Sequence, residues 1–188
     1  MPCTFLLILI AAACMLAADL PQHEFRVLAT TKTSTMEKEM NQAAEEGFRF
    51  VATMGGETAF GGKETVVTMS RVAGVKAEGL RYLLLATSRT STMQKEISAA
   101  AQEGFVYRGQ TVFESAFGGR EVGVVMERDP AQGMRRDEYL LLATSKTSTM
   151  QKELGDAGQQ GYELAGMTLG KTAMRGGEVV CILRRAAR

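Results

Sequence analysis

Short apolar runs and one amphipathic segment follow one another in a fixed order that recurs three times along the chain. Each copy opens with an aromatic and aliphatic run (FRVLATT, YLLLATS, YLLLATS), and such runs predict a buried strand. Apolar residues then recur at helical spacing, which predicts one face of an amphipathic helix. In the first copy these residues are Met36, Met40, Ala43 and Ala44.

Each predicted helix ends at a glycine, the residue type that favours the left-handed C′ position. These glycines are Gly47, Gly104 and Gly161. Two further apolar runs follow, FRFVATM and TVVTMSR in the first copy, and the last run ends on an arginine. The phrase AFGG, which begins at Ala59 and Ala116 and becomes AMRG at Ala173, predicts a turn between the two strands. The unit is therefore β-α-β-β.

The three copies align without a gap at a shift of 57 residues, from Thr33 to Thr90 to Thr147. The sequence predicts an α+β fold of three tandem β-α-β-β repeats, with antiparallel sheets and one helix per repeat, over residues 24–71, 81–128 and 138–185. One unit of this size has little core of its own, so we expect the repeats to share one. A closed ring around a pseudo-threefold axis and a linear row both remain open.

The phrase GQQGYELAGM in the third copy resembles a segment of a family of small bacterial β-α-β-β domains of unknown function. The residues that carry the resemblance are Gly161, Tyr162, Glu163, Leu164 and Arg185. The first two copies depart from the Glu-Leu pair of this motif. The resemblance implies a fold, and it implies no activity because the family has no assigned chemistry.

The first residues differ from the rest of the chain. The uncharged run FLLILIAAACMLAA is shorter than the approximately 20 apolar residues that span a bilayer. It is typical of a secretory signal, so residues 1–18 are predicted to be a cleaved signal peptide of an exported, periplasmic or secreted protein. A lipid anchor at Cys14 is the alternative. Neither leaves a stable membrane span after cleavage, and the mature chain keeps only Cys181, which we expect to be a buried apolar residue.

Composition excludes several classes of function. The formal net charge of +1 gives no basic excess for binding nucleic acid. His23 is the only histidine, so neither a catalytic triad nor a zinc cluster is expected. We therefore predict no metal, no cofactor and no catalytic residue. A carboxylate-dependent enzyme is a remaining alternative, and its candidate residues are Glu64, Glu121 and Glu178.

Residues identical in all three copies concentrate between positions 29 and 39, around the phrase TSTMEKE or TSTMQKE. Ser34 followed by Glu37 matches a capping box, as do the corresponding pairs in the other copies. A basic residue precedes each helix, and a helix N-terminus with a cation and hydroxyls is typical of an anion site. The candidate ligand-binding residues are Lys32, Thr33, Ser34, Thr35, Arg89, Thr90, Ser91, Thr92, Lys146, Thr147, Ser148 and Thr149.

The same phrase has a plainer interpretation, in which it caps the helix and seats one repeat against the next. The sequence overall favours a non-enzymatic exported binding or interaction module. Its expected partner is a small anion or a protein, and it can form an oligomer. A purely structural or oligomerising envelope protein is the second interpretation, because exposed sheet edges can pair with other copies.

Overall fold

The computed structural model describes residues 21–58, 62–75, 79–114, 120–172 and 176–187. The predicted signal peptide, Cys14, and the AFGG and AMRG turns from Ala59, Ala116 and Ala173 lie wholly or mostly outside these residues. Within them the three β-α-β-β repeats form as predicted. Each described helix is too short to cross a bilayer as an apolar span.

The described chain contains nine strands and three α-helices in the order β-α-β-β, repeated three times, with one short 3-10 turn at Pro130–Gln132. The first repeat contains β1 (His23–Thr30), α1 (Thr33–Glu45), β2 (Arg49–Thr58) and β3 (Gly62–Val72). The second contains β4 (Arg81–Thr87), α2 (Thr90–Gln102), β5 (Val106–Glu114) and β6 (Arg120–Arg128). The third contains β7 (Asp137–Thr144), α3 (Thr147–Gln159), β8 (Glu163–Thr172) and β9 (Gly176–Ala186).

Each repeat forms one three-stranded antiparallel sheet with its third strand in the centre, in the orders β1-β3-β2, β4-β6-β5 and β7-β9-β8. The first strand of every repeat is therefore an edge strand. The second strand is the other edge, and in each copy its register shifts by one residue, between Phe50 and Ala52 in β2. Such a bulge leaves its extra residue, Val51 in β2, without a ladder partner.

The predicted helix stripe is confirmed. Met36, Met40, Ala43 and Ala44 are the buried residues of α1. Met93 and Met150, which correspond to Met36 in the other two copies, are also buried, and the predicted burial of Cys181 is confirmed. Gly47 has a φ of +90°, and the two corresponding glycines also have positive φ. The Gly47 and Phe48 N–H groups donate to the carbonyls of Ala44 and Ala43, which is the Schellman arrangement that ends a helix at glycine.

The arginine at the end of each third strand covers the end of its own helix. The guanidinium of Arg71 lies 4.6 Å from the centre of the Phe48 ring, and that of Arg185 lies 4.4 Å from the Tyr162 ring. Both side chains also donate to a carbonyl at the helix C-terminus, Arg71 to Glu46 and Arg185 to Gln160. These contacts satisfy helix carbonyls that lack an internal partner.

The repeats stack as a row in which each of the first two helices lies between its own sheet and the next one. The buried face of α1 packs on Val67 and Met69 of its own sheet, and the same cluster includes Tyr82 and Val125 of the second repeat. The cluster around α2 likewise includes residues of the third sheet. Among the described residues, no comparable interface joins the third repeat to the first, so the described chain forms the open row.

Candidate ligand site at the strand-to-helix junctions

The predicted capping box does not form. The helices begin at Thr33, Thr90 and Thr147, with the basic residues Lys32, Arg89 and Lys146 at the N-cap. No side chain caps any of the three. The prediction placed the cap two residues too late: Ser34, Ser91 and Ser148 are already in the second helical position, where a hydroxyl cannot reach the N–H groups of the first turn.

The chain enters each helix by a small turn. The Thr30 hydroxyl oxygen accepts the N–H of Lys32 at 3.2 Å, and Thr87 and Thr144 accept the corresponding N–H at the same distance. This bond uses the hydroxyl of the strand, and the first N–H groups of a helix have no acceptor one turn earlier within the helix. In α2 the Thr92 N–H donates instead to the Arg89 carbonyl at 3.1 Å. The junction therefore keeps the donors that an anion site requires.

In the first two repeats, the Glu or Gln of the predicted capping box binds the next repeat instead. The Glu37 carboxylate accepts the N–H of Leu84 at 2.9 Å. The Gln94 side chain accepts the N–H of Leu141 at 2.7 Å and donates to the carbonyl of Tyr139 at 2.9 Å. These bonds satisfy backbone groups on the outer edges of β4 and β7, where neither strand has a second strand partner among the described residues. The plainer interpretation of the repeated phrase, seating one repeat against the next, explains this position.

Asn41 adds a second polar contact to the edge of β4. Its side-chain amide donates to the carbonyl of Tyr82 and accepts the Tyr82 N–H, both at 2.9 Å. An asparagine that satisfies both backbone groups of one residue replaces a neighbouring strand at that point. The sequence does not single out Asn41, because the other copies carry Ser98 and Gly155 there.

Two tyrosines from the first strands reach back into the preceding repeat. The Tyr82 hydroxyl accepts the Phe50 N–H at 2.9 Å and donates to the buried carboxylate of Glu127 at 2.6 Å. The Tyr139 hydroxyl accepts the Tyr107 N–H at 2.8 Å. Burial, followed by the Glu127 bond, raises the pKa of Tyr82 above its ordinary value. The first repeat has Phe25 at this position, and that difference is the signal that could have indicated the interface.

The first two junctions line narrow clefts between repeats. Lys32 and Thr33 face Leu84, Thr111 and Val125 of the second repeat across one cleft. The second cleft repeats this arrangement one unit further along. It is lined by Thr87, Ser88, Arg89, Thr90, Met93, Val122, Leu141 and Val180. Each has a volume of about 10 Å³, which is room for about one water molecule.

The candidate residues divide into those that line a cleft and those that do not. Thr33 and Thr90 are half-buried, whereas Thr147 at the third junction is exposed. The serines of the phrase are exposed in all three copies. Within the described part of the chain, the side chains of Lys32, Arg89 and Lys146 have no ion-pair partner. The structure thus brings the basic residue and the first threonine together at two junctions.

A wider polar pocket of about 410 Å³ lies at the end of the third sheet, and the sequence did not indicate it. Its lining residues are Arg135, Asp137, Gln160, Gly161, Glu163, Arg184, Arg185 and Ala186. Arg135 and Arg184 lie 3.2 and 3.9 Å from the carboxylate of buried Asp137. The two arginines thus partly neutralise the carboxylate of Asp137, which explains why this charged side chain can be buried.

The carboxylates that an enzyme would need are placed one per repeat. Glu64, Glu121 and Glu178 lie on the central strands of three different sheets. Acid–base catalysis by a pair of carboxylates requires two of them at one substrate. Among the described residues, no group of three His, Cys, Asp or Glu side chains is placed to hold a metal ion.

Comparison of the chain with protein-family models, with curated proteins and with solved structures finds no match.

Proposed function

We propose that this chain is a non-enzymatic, exported binding module and that the strand-to-helix junctions of its first two repeats bind a small anion. One observation carries the proposal. In each of the first two repeats, the basic residue before the helix and the first threonine of the helix line the cleft where that repeat meets the next. Free N–H groups at a helix N-terminus and a cation without a carboxylate partner favour negative charge.

The narrow clefts limit what the anion can be. Space for about one water molecule admits a single oxygen atom of a carboxylate, sulfate or phosphate group. The rest of the ligand stays at the mouth of the cleft, beside the exposed Lys32 or Arg89 side chain. Since the third junction has no following repeat in the described chain, we expect two equivalent sites per chain.

Calorimetric titration and thermal unfolding of the chain with phosphate, sulfate and simple carboxylates test this proposal. A ligand that binds only the folded chain adds about 2.7 kcal/mol of stability at 100 times its dissociation constant. At a protein concentration low enough to keep the chain monomeric, we expect a saturable shift with a stoichiometry near two. The double variant Lys32→Ala, Arg89→Ala should lose it, and the matched control Lys146→Ala should keep it. An absent shift, or one that the double variant keeps, would contradict the proposal.

Export is proposed from the apolar segment at the start of the sequence, which precedes the described residues. N-terminal sequencing and intact mass of the protein recovered from cell fractions test it. A chain that begins near residue 19 in the exported fraction is the expected result. A lipid-modified chain that begins at Cys14 would favour the anchored alternative, and an intact N-terminus on cytoplasmic protein would contradict export.

A second candidate function, a structural or oligomerising protein, is favoured by a different observation. Positions that are buried where two repeats meet carry exposed apolar residues at the two ends of the row. No corresponding observation favours an enzyme, because the three candidate glutamates lie on separate sheets.

A further inference from the structure

Every internal interface of the row has two halves. The first half, the strand face, is the edge strand that opens a repeat, with Tyr82 and Leu84 in the second repeat. The second half, the helix face, belongs to the preceding repeat and combines the polar side of its helix with its second strand. In the first repeat the helix face includes Glu37 and Phe50. Glu37 binds Leu84, and the Phe50 N–H binds Tyr82.

Among the described residues, nothing covers the strand face of the first repeat. Phe25 corresponds to Tyr82 and Tyr139, and Val27 to Leu84. Tyr82 and Tyr139 are 3% and 6% exposed, whereas Phe25 is 65% and Val27 64% exposed. The same side of the same strand is thus covered in two repeats and uncovered in one.

The helix face of the third repeat is open at the other end of the row. Leu164 is 52% exposed, whereas Tyr107, at the same position in the second repeat, is 8% exposed. Leu169, on the same side of β8, is 75% exposed. Gln151 corresponds to Gln94, which binds the edge of the next repeat, and is itself exposed. An apolar strip and a glutamine therefore have no counterpart to bind in the described chain.

The two open faces are complementary, because a strand face and a helix face already bind each other at both internal interfaces of the chain. We propose that the strand face of one copy of this chain binds the helix face of a second copy, head to tail. The contact would place Phe25 and Val27 against α3 and β8, with Gln151 beside the edge of β1. This inference does not depend on anion binding at the junctions.

The contact between copies has fewer polar bonds than the internal ones. Phe25 lacks the hydroxyl with which Tyr82 and Tyr139 accept a backbone N–H. Gly155 replaces Asn41, which binds the edge of β4. We therefore expect an association that depends on protein concentration. Because the contact joins two different faces, repeated addition leads to a closed ring or to an open chain of copies.

Sedimentation and light scattering of the full chain over a hundredfold concentration range test the proposal. We expect wild-type protein to pass from monomer to larger species. Val27→Lys blocks the strand face and Leu169→Lys blocks the helix face, and each variant alone should remain monomeric. Mixed in equal amounts, they should form a dimer and nothing larger, because each supplies the face that the other lacks.

Val75→Lys is the matched control, since Val75 is an equally exposed valine (58%) in the linker after β3. It should assemble as wild type does. Circular dichroism checks that each variant is folded, and Phe25→Glu with Leu164→Glu repeats the test if either lysine variant is not. A wild-type monomer at all concentrations, a mixture that stays monomeric, or variants that assemble like wild type would overturn the proposal.

Discussion

The hydroxyl of Tyr82 accepts a hydrogen bond from the backbone N–H of Phe50, 2.9 Å away in the preceding repeat. Phe50 borders the bulge of an edge strand, where the register with the central strand shifts. Phe50 itself pairs with Met69, and Val51 is the extra residue of the bulge; the Phe50 N–H donates across the interface to the tyrosine hydroxyl. Tyr139 does the same for Tyr107 at 2.8 Å. At each repeat interface one tyrosine hydroxyl thus binds a backbone N–H of the neighbouring edge strand.

Loss of this hydroxyl should destabilise the chain. Tyr139→Phe keeps the ring and leaves the buried N–H of Tyr107 without an acceptor, which costs about 1–3 kcal/mol. Urea unfolding followed by circular dichroism measures the change in the free energy of unfolding. Phe25→Tyr is the control, because it adds a hydroxyl at the same position where no repeat precedes it in the described chain. At a protein concentration low enough to keep the chain monomeric, we expect it to change stability by less than about 0.5 kcal/mol. Equal effects of the two substitutions would show that the hydroxyl has no role in the interface.

Gln94 should contribute to stability and Gln151 should not. Both occupy the same position of the repeated phrase, but Gln94 exchanges two hydrogen bonds with the edge of β7 and Gln151 is exposed. Gln94→Ala leaves the Leu141 N–H and the Tyr139 carbonyl unsatisfied, for a loss of about 1–3 kcal/mol.

Gln151→Ala provides the comparison, measured at a protein concentration low enough to keep the chain monomeric. Its effect should lie within about 0.5 kcal/mol of zero. A cost for Gln151→Ala as large as that for Gln94→Ala would assign the glutamine a role within its own repeat.

The order of elements could be predicted from the sequence because local rules determine it. The apolar period placed Met36 and Met40 on the buried side of α1, and a positive φ at Gly47 ended the helix as expected. The helix start was predicted wrongly. Ser34 and Glu37 match the capping-box pattern in sequence, but this match does not require the helix to begin at Ser34. The helix begins earlier, and Glu37 binds the next repeat.

The arrangement of the repeats could not be predicted from local rules. It depends on the surfaces between repeats. The difference of Phe25 from Tyr82 and Tyr139 indicates which strand faces a preceding repeat, but only once the bonds of the two tyrosine hydroxyls to that repeat are known. The helices begin at Thr33, Thr90 and Thr147, within the candidate residues, and anion binding there stays a prediction. The volume of the clefts was not predictable, because the next repeat forms the opposite wall of each cleft.

Alkaline pH should weaken the fold through Tyr82. Burial and the Glu127 bond raise its pKa in the folded chain above the ordinary value of 10.0, so the folded state holds a proton that the unfolded state releases. Its contribution is complete below pH 10 and decreases as the pH rises toward the folded pKa, by up to about 1.4 kcal/mol per pH unit.

Urea unfolding at several pH values between 8 and 11.5 measures this loss. Tyr82→Phe should be less stable than wild type at pH 8, yet it should lose less stability between pH 10 and 11.5. A variant whose stability decreases as steeply as that of wild type would mean that Tyr82 does not contribute to the alkaline loss.

Gly55 should not tolerate a side chain, because the next repeat approaches its backbone directly. A Cβ atom at Gly55 would lie 1.9 Å from the carbonyl oxygen of Val112, whereas one at Gly56 would meet nothing within 4 Å. A backbone oxygen cannot rotate away as a side chain can, so β2 and β5 must separate. Gly55→Ala should therefore cost about 1–3 kcal/mol, the range for overpacked sites. Gly56→Ala, one residue along the same strand, should be close to neutral. Chemical unfolding of both variants measures the difference, and equal stability of the two would mean that β2 and β5 do not pack as closely as described.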